Sequence, residues 1–224
     1  HIDGGMTEYI SHPVNLIHRL PDSLSFEEAV MAEPLSIALH SIHRINLKSE
    51  EHIVIFGAGQ IGNLVAQASL SLGAIPILID ILDERLDLAR NLGIVNTINP
   101  NRENVVEKIK EITNGRMAEC VVEATGSHFG IRTTLDVVSF TGRIAFVGWP
   151  NQEVSLQTAL ITRKELDIYG SRNSAGEFPL AIEMLEKKKV KVATLISRIV
   201  PLEEIPEYLH ILAEEPSRFL KILG

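Results

Sequence analysis

The segment Gly57-Ala58-Gly59-Gln60-Ile61-Gly62 has the spacing that most narrowly limits its chemistry. It follows the apolar run 53–56 and precedes an Ala- and Leu-rich helical stretch, 61–72, so it reads as a strand-to-helix turn. Each glycine answers a separate steric demand. Gly57 permits a tight turn, Gly59 lets main chain approach a pyrophosphate with no Cβ in the way, and Gly62 lets helix and strand pack closely. The helix start offers unpaired N–H groups and a partial positive charge to phosphates. Asp80 ends the next apolar run, 23 residues after Gly57, near the roughly 20 at which an acid meets the adenosine ribose hydroxyls of a dinucleotide. A carboxylate there repels a 2′-phosphate, so the reading is NAD rather than NADP. Arg85 is placed to reach the adenine or the ribose, or else is a solvated helix charge.

Two further strand ends add candidates. Glu123-Ala124-Thr125-Gly126 and Val147-Gly148-Trp149 close apolar runs on the carboxyl side of a parallel sheet, where ligands bind. Thr125 and Gly126 are placed to face a cofactor, and the Val147–Trp149 backbone to contact its nicotinamide half; a simple turn is the alternative for each. Cys120 is the sole cysteine, which excludes a disulfide framework and a multi-cysteine zinc site within this chain. It reads as a small buried hydrophobe. His40 and His43 share a helix face without a nearby third ligand, and His12, His18, His52, His128 and His210 read as surface or satisfied positions.

The elements that must hold these residues alternate. Strands are expected at 53–56, 75–79, 97–98, 120–123, 143–147 and 166–169, with helices at 61–72, 83–92, 102–113 and 128–139 between them. Alternating β and α with short connections gives an α/β, doubly wound parallel sheet. Before it, residues 25–45 read as helical turns broken at Pro34. After it come a helix at 177–189, a strand at 195–200, a helix beyond Pro201 and a last strand at 219–223.

Composition agrees with a globular chain: of 224 residues, 45% are hydrophobic and 22% charged, with a net charge of −8. That balance argues against nucleic acid as a partner. No apolar run approaches the roughly 20 residues that cross a bilayer, so no membrane partner is expected. The opening HIDGGMTEYI has neither an initiator Met nor an apolar signal core, so a cytoplasmic compartment and a piece of a longer protein are the expectations.

GAGQIG, Asp80 and Arg85 with RLDLARNLG, EATG, DGGMTEYI, RLPDSLSFEEAVMAEPLS and LDIYGSRN together resemble the zinc-dependent medium-chain alcohol dehydrogenases over nearly the whole chain. The likeness is to their polyol branch, the sorbitol, threonine and sugar-acid dehydrogenases. The resemblance implies a Rossmann domain at 41–170, the end of a GroES-like catalytic domain at 1–40, and a returning segment at 171–224 that completes that domain and the cleft. It implies that Gly57, Gly59, Gln60, Ile61, Gly62, Asp80 and Arg85 hold NAD. Val147, Gly148, Trp149, Ser171 and Arg172 would line the nicotinamide end, beside the Thr125 and Gly126 candidates above. Of the catalytic zinc ligands, the resemblance assigns only Glu33, in Ala32-Glu-Pro-Leu-Ser36, to this chain; the others would lie upstream. The implied reaction moves a hydride between a secondary alcohol, a polyol or sugar acid, and the nicotinamide, with zinc polarising the substrate oxygen. Without those ligands this chain is expected to bind NAD and not to turn over. A zinc-independent quinone reductase and a non-catalytic NAD sensor are the alternatives. A homodimer or homotetramer built on sheet edges is implied as well.

Overall fold

The computed structural model describes residues 7, 9–215 and 217–224; most of the DGGMTEY stretch lies outside them. All five residues of strand β1 (His52–Phe56) are buried. Ile53 and Ile55 belong to one apolar cluster, Val54 and Phe56 to a second. A strand buried on both faces must be covered on both, which is why β1 is central and parallel. The sheet contains β2 (Ile75–Ile79), β3 (Asn96–Ile98), β4 (Ala118–Glu123), β5 (Val138–Phe146) and β6 (Asp167–Gly170). Its order is β3-β2-β1-β4-β5-β6, with every pairing parallel. The chain leaves β1 toward β2 on one side and later returns to lay β4 on the other, so a crevice opens between the carboxyl ends of β1 and β4. The α/β, doubly wound architecture expected above is the one observed.

The first cluster unites that face with α2 (Ala32–Arg44), α3 (Gln60–Ser71), α4 (Asp83–Asn91) and α8 (Phe178–Glu186). The second packs α5 (Val105–Ile112) and α6 (His128–Val137) on the other face, with α7 (Thr158–Lys164) at its margin. Local signals start several of these helices. Asn104 and Ser127 cap α5 and α6 by accepting the Glu107 and Gly130 N–H groups.

The structure moves several boundaries. The break in the N-terminal helical stretch lies at Val30–Met31, between α1 (Phe26–Ala29) and α2, and not at Pro34. Pro34 sits in the first turn of α2, where its missing N–H has no intrahelical acceptor to lose. Helix α2 then runs unbroken through residue 40. Helix α6 ends at Val137 and β5 begins at Val138, because β-branched Val138 pairs with Ala118 at the lower end of the sheet. Helix α7 was not anticipated. The last strands shrink to a two-stranded parallel pair, β7 (Arg198–Ile199) and β8 (Ile222–Leu223), flanking α9 (Ile205–Glu214). Phe26, Val14 and Ile199 stand exposed in these flanking regions. Among the described residues, no helix is long and apolar enough to cross a membrane.

Leu39 is fully buried where α2 meets the sheet-side core. Leu39→Ala is expected to lower stability by about 2–5 kcal/mol, read as a reduced urea midpoint at unchanged slope.

Candidate functional site

The carboxyl ends of the central strands are tied together by main chain and two carboxyl groups. The Gly57 N–H donates to Ile79 O at 2.7 Å, and Ala124 N–H to Phe56 O at 3.0 Å. Asp80, 8% exposed, accepts from Ala58 N–H at 2.7 Å through Oδ2 and from Leu82 N–H at 2.9 Å through Oδ1. The acid that ends β2 therefore also fixes the glycine turn. Each carboxylate oxygen keeps a second acceptor position for a hydroxyl. Arg85 stands 3.8 Å from Asp80 Oδ2 and donates to Ser217 O at 3.3 Å.

The three glycines of the turn differ in what surrounds them. Gly57 has φ +99°, a left-handed conformation that side chains resist. A Cβ on Gly62 would lie 1.7 Å from Gly57 O, so helix and turn touch there. Gly59 is neither strained nor crowded. Its φ is −70°, and a Cβ would meet nothing nearer than Arg85 Nη1 at 4.0 Å. Neither fold nor backbone requires glycine at this position; the bare main chain is left facing open space. No side chain caps α3, so the amides of Gln60, Ile61 and Gly62 remain for an anion.

A cleft of about 500 Å³ opens beside this turn and is lined by Gly57, Asp80, Arg85 and Thr125. Pro100, Asn101 and Phe129 line it too, and were missed in the sequence. Pro100 and Asn101 were findable, since they follow the carboxyl end of β3. Phe129 was not, because only packing sets its ring 6.4 Å from Phe56, nearly perpendicular to it.

The other half of the crevice is built on Glu123, which is fully buried. Its Oε1 accepts the Thr125 N–H at 2.9 Å and the Thr125 hydroxyl, and its Oε2 accepts the Gly126 N–H at 3.0 Å. The Val147 and Gly148 amides donate to its main-chain oxygen at 2.9 and 3.0 Å. Gly126 and the Gly148-Trp149 turn lie back to back, with no room for a Cβ: one on Gly126 would sit 2.5 Å from Trp149 O. Ser171 N–H donates to Phe146 O at 2.9 Å, and Arg172 lies over the Trp149 ring at 5.3 Å.

Gln60 turns its amide toward Met31 Sδ at 3.7 Å, and Ile61 packs on the sheet-side core. Glu33 is exposed in the first turn of α2 and does not line the cleft. Among the described residues, no three His, Cys, Asp or Glu side chains gather as a metal would need. The described residues therefore fit a dinucleotide and do not by themselves fit a zinc ion.

Three other readings of single residues are refined. Cys120 is buried and burial pushes its thiol up to about 12, which leaves it inert. His52 is buried, with Nδ1 unpartnered and 3.5 Å from Glu119 Oε2, so it is neither a surface nor a satisfied position. His40 and His43 are not a plain helix face, since both reach Glu177 Oε1, at 2.9 and 3.2 Å. Burial opposes ionisation of Glu177, yet hydrogen bonds from His40, the Ala175 N–H and His43 outweigh it and hold the carboxyl down at about 2.

A family model for zinc-binding dehydrogenases matches residues 61–187. The chain is 52% identical over 222 residues to an uncharacterized zinc-type alcohol dehydrogenase-like protein of Haemophilus influenzae, covering 99% of this chain and 65% of that protein. It is 31% identical to the sorbitol dehydrogenase of Bacillus subtilis, again over 99% of this chain and 64% of the relative. The chain thus spans just under two thirds of the length of these relatives. A short chain alcohol dehydrogenase of Escherichia coli CFT073, solved with the cofactor NADH, superposes with a TM-score of 0.91 at 25% identity, over 99% of this chain and 66% of that one.

Two outcomes are expected. Gly62→Ala drives a methyl group into Gly57 O and should cost at least about 2 kcal/mol of stability, measured by denaturant unfolding. Glu177 has a folded-state pKa below its ordinary 4.5. Its stabilising contribution is therefore complete above that pH and withdrawn as pH falls toward 2. Glu177→Gln should flatten this acid limb in melting temperatures taken across pH.

Proposed function

This chain belongs to the zinc-binding dehydrogenases, the zinc-dependent medium-chain alcohol dehydrogenases of the polyol branch, and on that premise we propose that it is the NAD-carrying part of an alcohol or polyol oxidoreductase. The observation that carries the reading is Gly59: a glycine that neither conformation nor packing requires, at the start of an uncapped helix, where an added Cβ would meet only Arg85, a residue that lines the cleft. Main chain there can approach a pyrophosphate to hydrogen-bond distance, and the α3 amides and partial charge favour it. The free lone pairs of Asp80 accept the adenosine ribose hydroxyls and disfavour a 2′-phosphate, while Arg85 closes that side. Thr125, Gly126 and the Val147–Trp149 main chain, braced by Glu123, position the nicotinamide half, with Ser171 and Arg172 at its rim. NAD, when bound, supplies the hydride acceptor for a secondary alcohol.

No step is assigned to zinc from this chain's residues, although Glu33 is kept as a candidate ligand from the family resemblance. We further propose that residues 1–40 and 171–224 belong to a second, catalytic domain, with the Rossmann domain at 41–170, and that the 224 residues bind NAD without turning alcohols over. Self-association through the open edge of β6 is the proposed assembly.

Isothermal titration tests the cofactor assignment. NAD should bind at least about tenfold more tightly than NADP, and Gly59→Ala should weaken NAD by a similar factor at an unchanged melting temperature. No heat with NAD, or Gly59→Ala binding like wild type, would sink it. Alcohol-dependent NADH formation by this chain would overturn the claim of no turnover.

A further inference from the structure

Glu177 stands immediately before α8 and is only 5% exposed. Two imidazoles from α2 share one of its oxygens, and its other oxygen accepts the Ala175 N–H. The chain between β6 and this carboxyl group is short. It is tied at its near end by Ser171 N–H on Phe146 O, and it carries Arg172 onto Trp149. Between the two ties, Asn173 and Gly176 adopt positive φ, 54° and 98°, while Arg172 and Asn173 are exposed. The middle of the segment has little packing of its own, so its course depends on its two ends.

We propose that Glu177 is a positioning residue: held to α2 by His40 and His43, it fixes the segment 171–176 so that Arg172 stays against Trp149 at the nicotinamide end of the crevice. The consequence for that end rests on reading the crevice as an NAD site; the clamp itself does not. The arrangement joins α2, whose first turn carries Glu33, to the loop that leaves the last strand of the sheet. Neither element contacts the glycine turn through this carboxyl group. The clamp therefore acts on the nicotinamide rim and leaves the pyrophosphate cradle alone.

Trp149 is the only tryptophan, so tryptophan fluorescence reports the surroundings of this one ring. A cation beside the ring attracts iodide and repels caesium, and the ratio of iodide to caesium quenching measures its presence. Arg172→Gln should lower that ratio at least about twofold, the scale of one unit charge at contact distance in water. Glu177→Gln keeps an acceptor for the imidazoles but loses the one for Ala175, and should lower the ratio similarly. The double variant should add nothing further. If Glu177→Gln does not fold, His43→Asn, at a half-exposed position, should give the same change at smaller amplitude. A wild-type ratio in Glu177→Gln or His43→Asn, with Arg172→Gln responding, would overturn the proposal and leave Glu177 a helix-docking residue; so would a ratio indifferent to Arg172→Gln. In parallel, Glu177→Gln should weaken NADH binding by roughly two- to fivefold, the scale of a lost cation–π contact. NADH failing to bind the wild type would defeat the cofactor reading only, since the quenching ratio decides the clamp by itself.

Discussion

The Asp80 carboxyl group holds the end of β2 and the glycine turn as one unit. By accepting the Ala58 and Leu82 amides, it sets both the path out of β1 and the start of the loop into α4. Everything on the proposed adenosine side depends on that pair of hydrogen bonds. They hold the turn that leads through Gly59 into α3, and they leave the same carboxyl group with spare acceptor capacity beside it. A buried acid with two backbone donors is also expensive to replace, because either amide would be left without a partner. Structure and proposed recognition thus draw on one group.

The half proposed for the nicotinamide follows the same logic with a different acid. Glu123 ends β4 as Asp80 ends β2, and it too gathers backbone amides from the turn that follows. The difference lies in burial. Glu123 is sealed at 0% exposure, behind Gly130 and Gly148, each of which would put a Cβ within 2.8 Å of its carboxyl oxygens. It has no access to a ligand and serves to shape the turn. Asp80, at the cleft wall, shapes its turn and also faces the cleft. Two acids at equivalent strand ends are separated in role by the glycines that either cover or uncover them.

Outside the sheet, the same economy is seen around α2. Its buried side anchors the first apolar cluster through Leu35, Ala38, Leu39 and Ile42. Its first turn carries Glu33, and its last turns carry the two histidines that meet Glu177. The helix is therefore a rigid link between the region that the family resemblance assigns to catalysis and the loop at the rim of the cofactor crevice.

The alternation of apolar runs with amphipathic helices was enough to read the α/β class and the positions of most strands, because a strand buried on both faces has no polar positions to disguise it. The glycine spacing and Asp80 were legible for a related reason: steric demands on main chain are local, and only glycine meets them. What lay beyond reach depends on contacts distant in the chain. Val138 becomes strand because Ala118 lies beside it. His40 and His43 become hydrogen-bond partners because Glu177, more than 130 residues away, is folded against them. Pro34 leaves its helix whole because three-dimensional packing starts that helix two residues earlier. Local sterics and periodicity are written in neighbouring residues; which acid is buried, which imidazole finds it and which glycine faces empty space is decided only when the sheet brings its strand ends together.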